Sequence, residues 1–178
     1  MIPIQNIYYM LSYAFQILNE QGYKNIATEQ FNNTAELMAA ILEKGIAIQL
    51  KRGLGKEYIP QTEALSSLRG KIDIAESIKT QSMLRKQLIC TYDEFSVNSI
   101  MNRIIKSTIE ILLRSNISKQ RKKNLRKLML YFSEVDFIDL YTVNWNVQYN
   151  RNNQTYRMLI SICYLVVKGL LQTQSDGS

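Results

Sequence analysis

Hydrophobic residues return every three or four positions in five stretches of the 178-residue chain. That spacing puts them on one face of an α-helix, so each stretch is predicted to form an amphipathic helix. The predicted helices cover residues 3–19, 34–50, 97–114, the stretch from Ser118 to about Phe132, and 156–171. The helices over 97–114 and 156–171 carry the widest apolar stripes, and we expect them to form the core.

Particular residues in these helices refine the prediction. Asn33, with Glu36 three residues later, matches a variant of the capping box, in which side chains pair with the free N–H groups of the first turn. Ser118 is a residue type preferred immediately before a helix. In the first helix, Tyr8, Tyr9 and Tyr13 lie among apolar positions and are predicted to pack in the core.

Residues 53–95 lose the helical period. They contain residues that favour turns, namely Gly53, Gly55, Pro60 and Gly70. Within this region, residues 87–92 (QLICTY) are predicted to form a strand, and residues 136–143 are predicted to form another. The chain is therefore predicted to have an α+β fold, with about five helices packed on a small, mostly antiparallel sheet.

Composition removes several classes of chemistry. The chain has no histidine and two cysteines, Cys90 and Cys163. It therefore lacks a Ser-His-Asp or Cys-His triad, an HExxH zinc motif and a thiolate zinc site. The two thiols are predicted to be small, buried, reduced side chains.

The hydropathy pattern predicts a cytoplasmic chain with no membrane association. No basic segment precedes an apolar stretch at the N-terminus, as a secretory signal would require. The longest apolar stretch, residues 158–167, contains Ser161 and is followed by Lys168. It is shorter than the roughly 20 residues that a spanning helix needs.

Positive charge is concentrated in the middle of the chain. Residues 51–133 carry 17 basic and seven acidic side chains, whereas the net charge of the whole chain is +7. Six basic residues fall within 119–127: Lys119, Arg121, Lys122, Lys123, Arg126 and Lys127. One interpretation is a solvated helix face, and the other is contact with the phosphates of DNA.

Two catalytic motifs fail on inspection. Residues 53–56 (GLGK) lack the spacing of a phosphate-binding loop, and Glu57 stands where a Mg²⁺-binding Ser or Thr is needed. A metal-dependent nuclease often carries an acid followed two residues later by lysine, so that the lysine acts beside the metal. None of the 15 Asp and Glu residues has lysine at that position. Asp73 and Glu76 alone are too weak a pair to predict a site.

Three parts of the chain share motifs with one protein family. The first is the opening, residues 2–14 (IPIQNIYYMLSYA), and the second combines 52–54 (RGL) with 70–73 (GKID). The third combines 91–93 (TYD) with 102–108 (NRIIKST). Together they resemble the McrC family, the nuclease-bearing subunit of the GTP-dependent McrBC restriction system for 5-methylcytosine.

The resemblance implies that residues 1–178 are a McrC-like N-terminal regulatory and assembly domain. In the family this half engages a ring of McrB-like AAA+ GTPase subunits and stimulates their GTP hydrolysis, while the partner recognises the modified base. A C-terminal PD-(D/E)xK nuclease domain follows in the family and has no counterpart in these residues. The resemblance thus implies no catalytic residue, no metal site and no cofactor in this chain, with GTP on the partner and Mg²⁺ in the missing domain.

The residues expected to contact the GTPase ring lie in the Gly-punctuated segment 52–73, which we expect to form projecting loops. They are Arg52, Arg69, Lys71 and Asp73. Arg52 is the first choice for the stimulating side chain, and Asp73 is the choice for positioning a basic group of the partner. DNA is expected as a second partner, bound weakly and without sequence preference through the basic middle region. Two alternatives remain open at this point: a stand-alone basic nucleic-acid-binding domain, and a stand-alone enzyme.

Overall fold

The computed structural model describes residues 2–175. Within them the chain forms six α-helices and a three-stranded antiparallel sheet, which confirms the α+β class. The helices are α1 (Ile4–Glu20), α2 (Thr34–Arg52), α3 (Ile74–Lys79), α4 (Ile100–Leu113), α5 (Lys119–Met129) and α6 (Gln154–Ser175). The strands are β1 (Glu57–Leu65), β2 (Lys71–Asp73) and β3 (Leu88–Ser96).

The chain divides into two compact units. Residues 55–99 form one, here called the sheet unit, which contains the three strands and α3. The residues before and after this segment form the other, here called the helical unit. Each unit buries one cysteine completely, Cys90 in the sheet unit and Cys163 in the helical unit. The prediction that both thiols are buried is therefore confirmed.

Helix α6 lies at the centre of the helical unit, where it packs against α1, α2 and α4. Its buried side chains include Met158, Leu159 and Ile162, none of which is exposed. Gly45 lets α2 approach closely, since a Cβ atom there would lie 2.5 Å from Cε of Met158 and 2.7 Å from Cδ2 of Leu159. The predicted core pair of helices is confirmed, and α2 joins it.

The sheet unit has the strand order β1-β3-β2, with both pairs antiparallel. β1 pairs with β3 along its whole length and tolerates Pro60 because an edge strand needs ladder bonds on one side only. The turn before β2 requires glycine at position 70. Its φ is +67°, and a Cβ atom there would lie 2.2 Å from the carbonyl oxygen of Thr91.

The predicted strand over residues 136–143 is wrong. Side chains of α4 form hydrogen bonds with backbone groups in this segment and just before it. The Lys106 ammonium donates to the carbonyl oxygens of Phe132 (2.9 Å) and Val135 (2.6 Å), and the Ser107 hydroxyl accepts from the N–H of Ile138 (2.9 Å). Because those side chains hold the segment on α4, it packs as an irregular chain instead of pairing with a strand.

The predicted core packing of the first-helix tyrosines is wrong for Tyr8 and Tyr9, whereas Tyr13 is half-buried. Tyr8 and Tyr9 are each 68% exposed, and their rings contact each other edge to face at 6.0 Å. The buried positions of α1 lie in its second half, at Ala14, Ile17 and Leu18. The helix is therefore covered by its neighbours near its C-terminal end and presents aromatic side chains near its N-terminal end.

Replacing Gly70 by alanine should destabilise the sheet unit by about 2–5 kcal/mol. The left-handed backbone costs about 1–2 kcal/mol, and overpacking against a backbone carbonyl adds about 1–3 kcal/mol. Gly22→Ala is the matched control, because Gly22 also has a positive φ (+96°) but has no atom within 4 Å of the new Cβ. Hydrogen exchange of the β3 amides measures the effect, and equal protection in both variants would contradict it.

Candidate functional site

The four residues predicted to contact a GTPase partner do not share one projecting loop. Arg52 is the last residue of α2 and belongs to the helical unit, whereas Arg69, Lys71 and Asp73 belong to the sheet unit. The expectation that segment 52–73 forms projecting loops is therefore wrong for most of its length. Alternating residues suited to a strand let β1 pair with β3, so the glycines mark the ends of regular elements.

Arg52 is exposed in the last turn of α2. Gly53 ends the helix with φ +90° and ψ 149°, a conformation that is essentially restricted to glycine. The Gln49 side-chain amide donates to the carbonyl oxygen of Gly53 at 2.8 Å, which fixes the path of the chain there. A cation at this position also interacts favourably with the helix dipole. The backbone under Arg52 is thus well defined while its guanidinium faces solvent.

Arg69 lies on an aromatic ring. Its guanidinium carbon is 4.1 Å from the centroid of the Tyr92 ring, and the Tyr92 hydroxyl donates to the Glu63 carboxylate. That hydrogen bond to Glu63 is the main reason why the pKa of Tyr92 is raised. The three residues form an exposed cluster in which the arginine is pre-oriented, since a guanidinium stacks well on an aromatic face.

Sequence reasoning found Arg69 and missed its two partners. Glu63 and Tyr92 are 29 positions apart and meet only because Gln61 pairs with Tyr92 in the β1–β3 register, which sets Glu63 diagonally across from Tyr92. The one available signal was the alternation of polar residues along β1 and β3. Such alternation does not define a register.

Lys71 and Asp73 are both exposed on the edge strand β2. They lie two residues apart, so they share one face of the sheet. The Asp73 carboxylate also accepts the N–H of Glu76 at 2.9 Å and thereby caps α3. Asp73 consequently has a structural role that any test of partner binding must separate from its charge.

The sheet carries one further exposed feature that sequence reasoning missed. Tyr58 and Phe95 pair across β1 and β3, with ring centroids 4.9 Å apart, and the Lys56 ammonium lies 5.9 Å from the Phe95 ring. Both rings are more than half exposed. Aromatic side chains are enriched at protein–protein interfaces.

The six basic residues of 119–127 do not share one face of α5. Four are exposed and Lys122 is half-buried, and a spacing of 100° per residue puts all five on one side of the helix. The five are Lys119, Lys122, Lys123, Arg126 and Lys127, here called the cationic stripe. Arg121 points the other way, its side chain only 17% exposed. Its predicted role as a phosphate contact is not supported by this position.

Arg121 pairs with two carboxylates of α2. Its Nε donates to Glu36 at 3.1 Å, and its Nη1 donates to Glu43, which is also buried. The Glu36 carboxylate additionally accepts the backbone N–H of Ser118 at 2.8 Å. These bonds attach the first turn of α5 to α2. They fix the rotation of α5 about its own axis, and therefore the direction in which the cationic stripe faces.

The same contacts set the pKa of Glu36. Burial alone would raise the pKa, but the hydrogen bonds from Ser118 and Arg121 outweigh burial and hold the pKa of Glu36 below its ordinary value. For Arg121, burial alone would lower the pKa, while the bonds to Glu43 and Glu36 raise it. Both groups are therefore stabilised in their charged forms.

The net charge is divided unevenly between the units. The sheet unit, residues 55–99, contains six Lys and Arg and six Asp and Glu, so its formal charge is zero. The whole net charge of +7 consequently belongs to the rest of the chain. A polyanion would be attracted to the helical unit, and the sheet unit would interact through local pairs of charges.

Within residues 2–175, no three acidic or cysteine side chains converge as metal ligands would. In that same part of the chain, no helix is both long enough and apolar enough to cross a membrane.

Comparison with known proteins identifies relatives over nearly the whole chain. A family model described as "McrBC 5-methylcytosine restriction system component" matches residues 5–178. The type IV methyl-directed restriction enzyme EcoKMcrBC of Escherichia coli (strain K12) is 29% identical over 178 residues, covering 99% of this chain and 51% of that protein. The chain thus spans about half the length of this curated relative.

Two solved structures share the fold. The cryo-EM structure of the Thermococcus gammatolerans McrBC complex matches 92% of this chain and 50% of its own chain, with a TM-score of 0.63 and 22% identity. A refined half-complex from a tetradecameric assembly of Thermococcus gammatolerans McrB AAA+ hexamers with bound McrC matches 88% of this chain and 41% of its own, with a TM-score of 0.61 and 22% identity.

The free energy of unfolding should decrease as the pH is lowered, because Glu36 becomes protonated. Because folding lowers this pKa, Glu36 stabilises the fold fully above its ordinary value of 4.5 and loses that contribution as the pH falls through the folded value. Glu36→Gln should cost about 1–3 kcal/mol at pH 7 and should flatten the loss of stability between about pH 5 and 3. Urea unfolding at several pH values measures both effects, with the exposed Glu29→Gln as control. An unchanged pH profile would contradict the assignment.

Proposed function

The chain belongs to the McrBC family of 5-methylcytosine restriction system components, and we propose that it is the N-terminal regulatory and assembly module of a McrC-like subunit. In this proposal it engages a ring of McrB-like AAA+ GTPase subunits and stimulates the GTP hydrolysis that drives DNA cleavage by the complex. The Thermococcus relative is described as McrB AAA+ hexamers with bound McrC, and a corresponding ring is the partner proposed here.

The observation that carries the proposal is the pre-oriented Arg69 on the sheet unit, with Lys71 and Asp73 exposed on β2. An arginine already held by Tyr92 loses little conformational freedom when it meets a partner. A mixture of exposed charges and aromatic rings on a unit of zero net charge suits a specific protein contact better than a polyanion.

Arg52, the first choice from the sequence, is the other candidate for the stimulating side chain. Its guanidinium is exposed at the end of α2, where the helix defines its backbone. A guanidinium that reaches a nucleotide makes bidentate contacts with phosphate oxygens, which lysine cannot do. Arginines supplied to GTPases in this way raise GTP hydrolysis by about 10³-fold or more. GTP then belongs to the ring, and this chain supplies side chains only.

The cationic stripe supports DNA as a second partner. It places five cations on one side of a helix about 16 Å long, enough to follow successive phosphates. Such contacts hold DNA without reading its sequence, in keeping with a module whose partner recognises the modified base. The same stripe favours the second candidate function, a nucleic-acid-binding domain that acts without a GTPase ring.

Arg52→Ala and Arg69→Ala should fold normally and differ in their effect on the GTPase partner. The variant that removes the stimulating arginine should lower the partner's GTP turnover, at saturating chain, by about 10³-fold relative to wild type. Lys51→Ala is the matched control for Arg52, since it removes a neighbouring exposed cation. Full stimulation by both arginine variants would remove these residues from the mechanism.

The role of Asp73 needs a substitution that keeps the cap of α3. Asn caps a helix about as well as Asp but carries no charge. Asp73→Asn should therefore keep the fold and lower stimulation if the carboxylate positions a basic group of the partner. Asp73→Ala adds a stability loss of about 1 kcal/mol. GTP turnover and thermal unfolding, measured on both variants, separate charge from capping.

DNA binding should be weak, independent of sequence and steeply salt-dependent. Reversing Lys122 and Lys123 to Glu should weaken all sequences alike. In wild type, affinity should fall by roughly 10²-fold or more between about 50 and 200 mM salt. Lys24→Glu, which reverses an exposed cation elsewhere in the helical unit, is the control. Salt-independent binding, or equal binding by the reversed variant, would leave the stripe as an ordinary solvated face.

A further inference from the structure

The cationic stripe continues into two exposed apolar side chains. The backbone stays helical beyond α5, since Leu130 has φ −59° and ψ −29°. A 3₁₀ turn (Leu130–Phe132) follows, so Tyr131 lies about one turn after Lys127. Leu130 is 76% exposed and Tyr131 is 67% exposed. Leu130 therefore shares the side of the cationic stripe, and Tyr131 lies beside its Lys127 edge.

The Tyr131 ring is not engaged inside the protein. It makes no hydrogen bond and no ring contact with any other residue in the described part of the chain, whereas its neighbour Phe132 is buried in the core. The first carboxylate after the ring is Glu134, and none occurs between Lys119 and Tyr131. An accessible aromatic face thus stands at the end of an uninterrupted row of cations.

We infer that this surface binds single-stranded nucleic acid, with phosphates along the cationic stripe and one base stacked on Tyr131. The inference rests on the proposed DNA contact and specifies the form of the nucleic acid. Successive cations one turn apart lie about 6 Å apart along the helix axis, so an extended strand places several phosphates beside them. A tyrosine face then accepts an unpaired base, which a duplex keeps within its stack.

The arrangement favours nucleic acid over a lipid surface. A helix that binds in the plane of a membrane buries its apolar face in the lipid and keeps its cations on the other side. Here the main apolar face of α5 is already used inside the protein, where Leu125 is completely buried. The exposed Leu130 lies on the side of the cations and Tyr131 lies at the Lys127 edge of that side, which suits stacking beside phosphate.

The test is the affinity of the whole chain for fluorescent oligo(dT) of about 20 nucleotides, compared with a duplex of equal length. We expect the single strand to bind more tightly. Tyr131→Ala should weaken single-strand binding by about 5- to 150-fold, and Tyr131→Phe should retain it. The salt dependence separates the two contributions: Lys123→Ala should lower the slope of log affinity against log salt by about 0.7, and Tyr131→Ala should leave that slope unchanged.

Tyr8→Ala is the matched control, because Tyr8 is 68% exposed on α1 in the same unit and lies outside the stripe. Its oligo(dT) affinity should equal that of wild type. Equal binding of duplex and single strand, with no loss in Tyr131→Ala, would overturn the inference while leaving the phosphate contact in place. Binding to vesicles of anionic lipid without binding to oligo(dT) would overturn both. GTPase stimulation, measured on the same variants, tests the ring contact independently.

Discussion

The burial of α6 is the constraint on which the helical unit depends. Between Met158 and Val167 every side chain of this helix except Ser161 and Tyr164 is buried, so most of its circumference must be covered by other elements. α1, α2 and α4 must therefore surround it, and small residues such as Gly45 decide how closely they approach. A buried polar pair in this region joins α4 and α6, with the Tyr156 hydroxyl donating to Asn102 Oδ1 at 2.8 Å. Once α2 is held against α6, its carboxylates Glu36 and Glu43 are in place to orient α5.

Periodicity predicted the helices because burial against a common core dictates it. Periodicity failed where contacts with other elements decided the outcome. Residues 136–143 have the composition of a strand, yet Lys106 and Ser107 of α4 satisfy the nearby backbone more locally than a distant strand would. The exposure of Tyr8 and Tyr9 depends on how far neighbouring helices extend along α1, which the pattern of α1 itself does not contain.

The candidate surfaces were likewise predictable from the sequence only in part. A run of six basic residues was visible in the sequence, but the departure of Arg121 from the other five required knowing that α2 presents two carboxylates to it. The contact between Arg69 and Tyr92 depends on strand register, and register is set by pairing between strands far apart in sequence. Composition and spacing therefore located charged residues, while the packing of other elements determined which of them are available to a partner.

The two cysteines allow the opening of each unit to be followed, because one buried thiol lies in each unit. Burial raises the pKa of Cys163 to about 12, so its thiol reacts with alkylating agents only when the helical unit opens. Cys90 is equally inaccessible inside the sheet unit. Since each unit holds one thiol, the rates at which Cys163 and Cys90 are alkylated report the opening free energy of each unit independently. A partner that binds only the sheet unit would slow the alkylation of Cys90 and leave the alkylation rate of Cys163 unchanged. The two cysteines therefore serve as local footprinting probes.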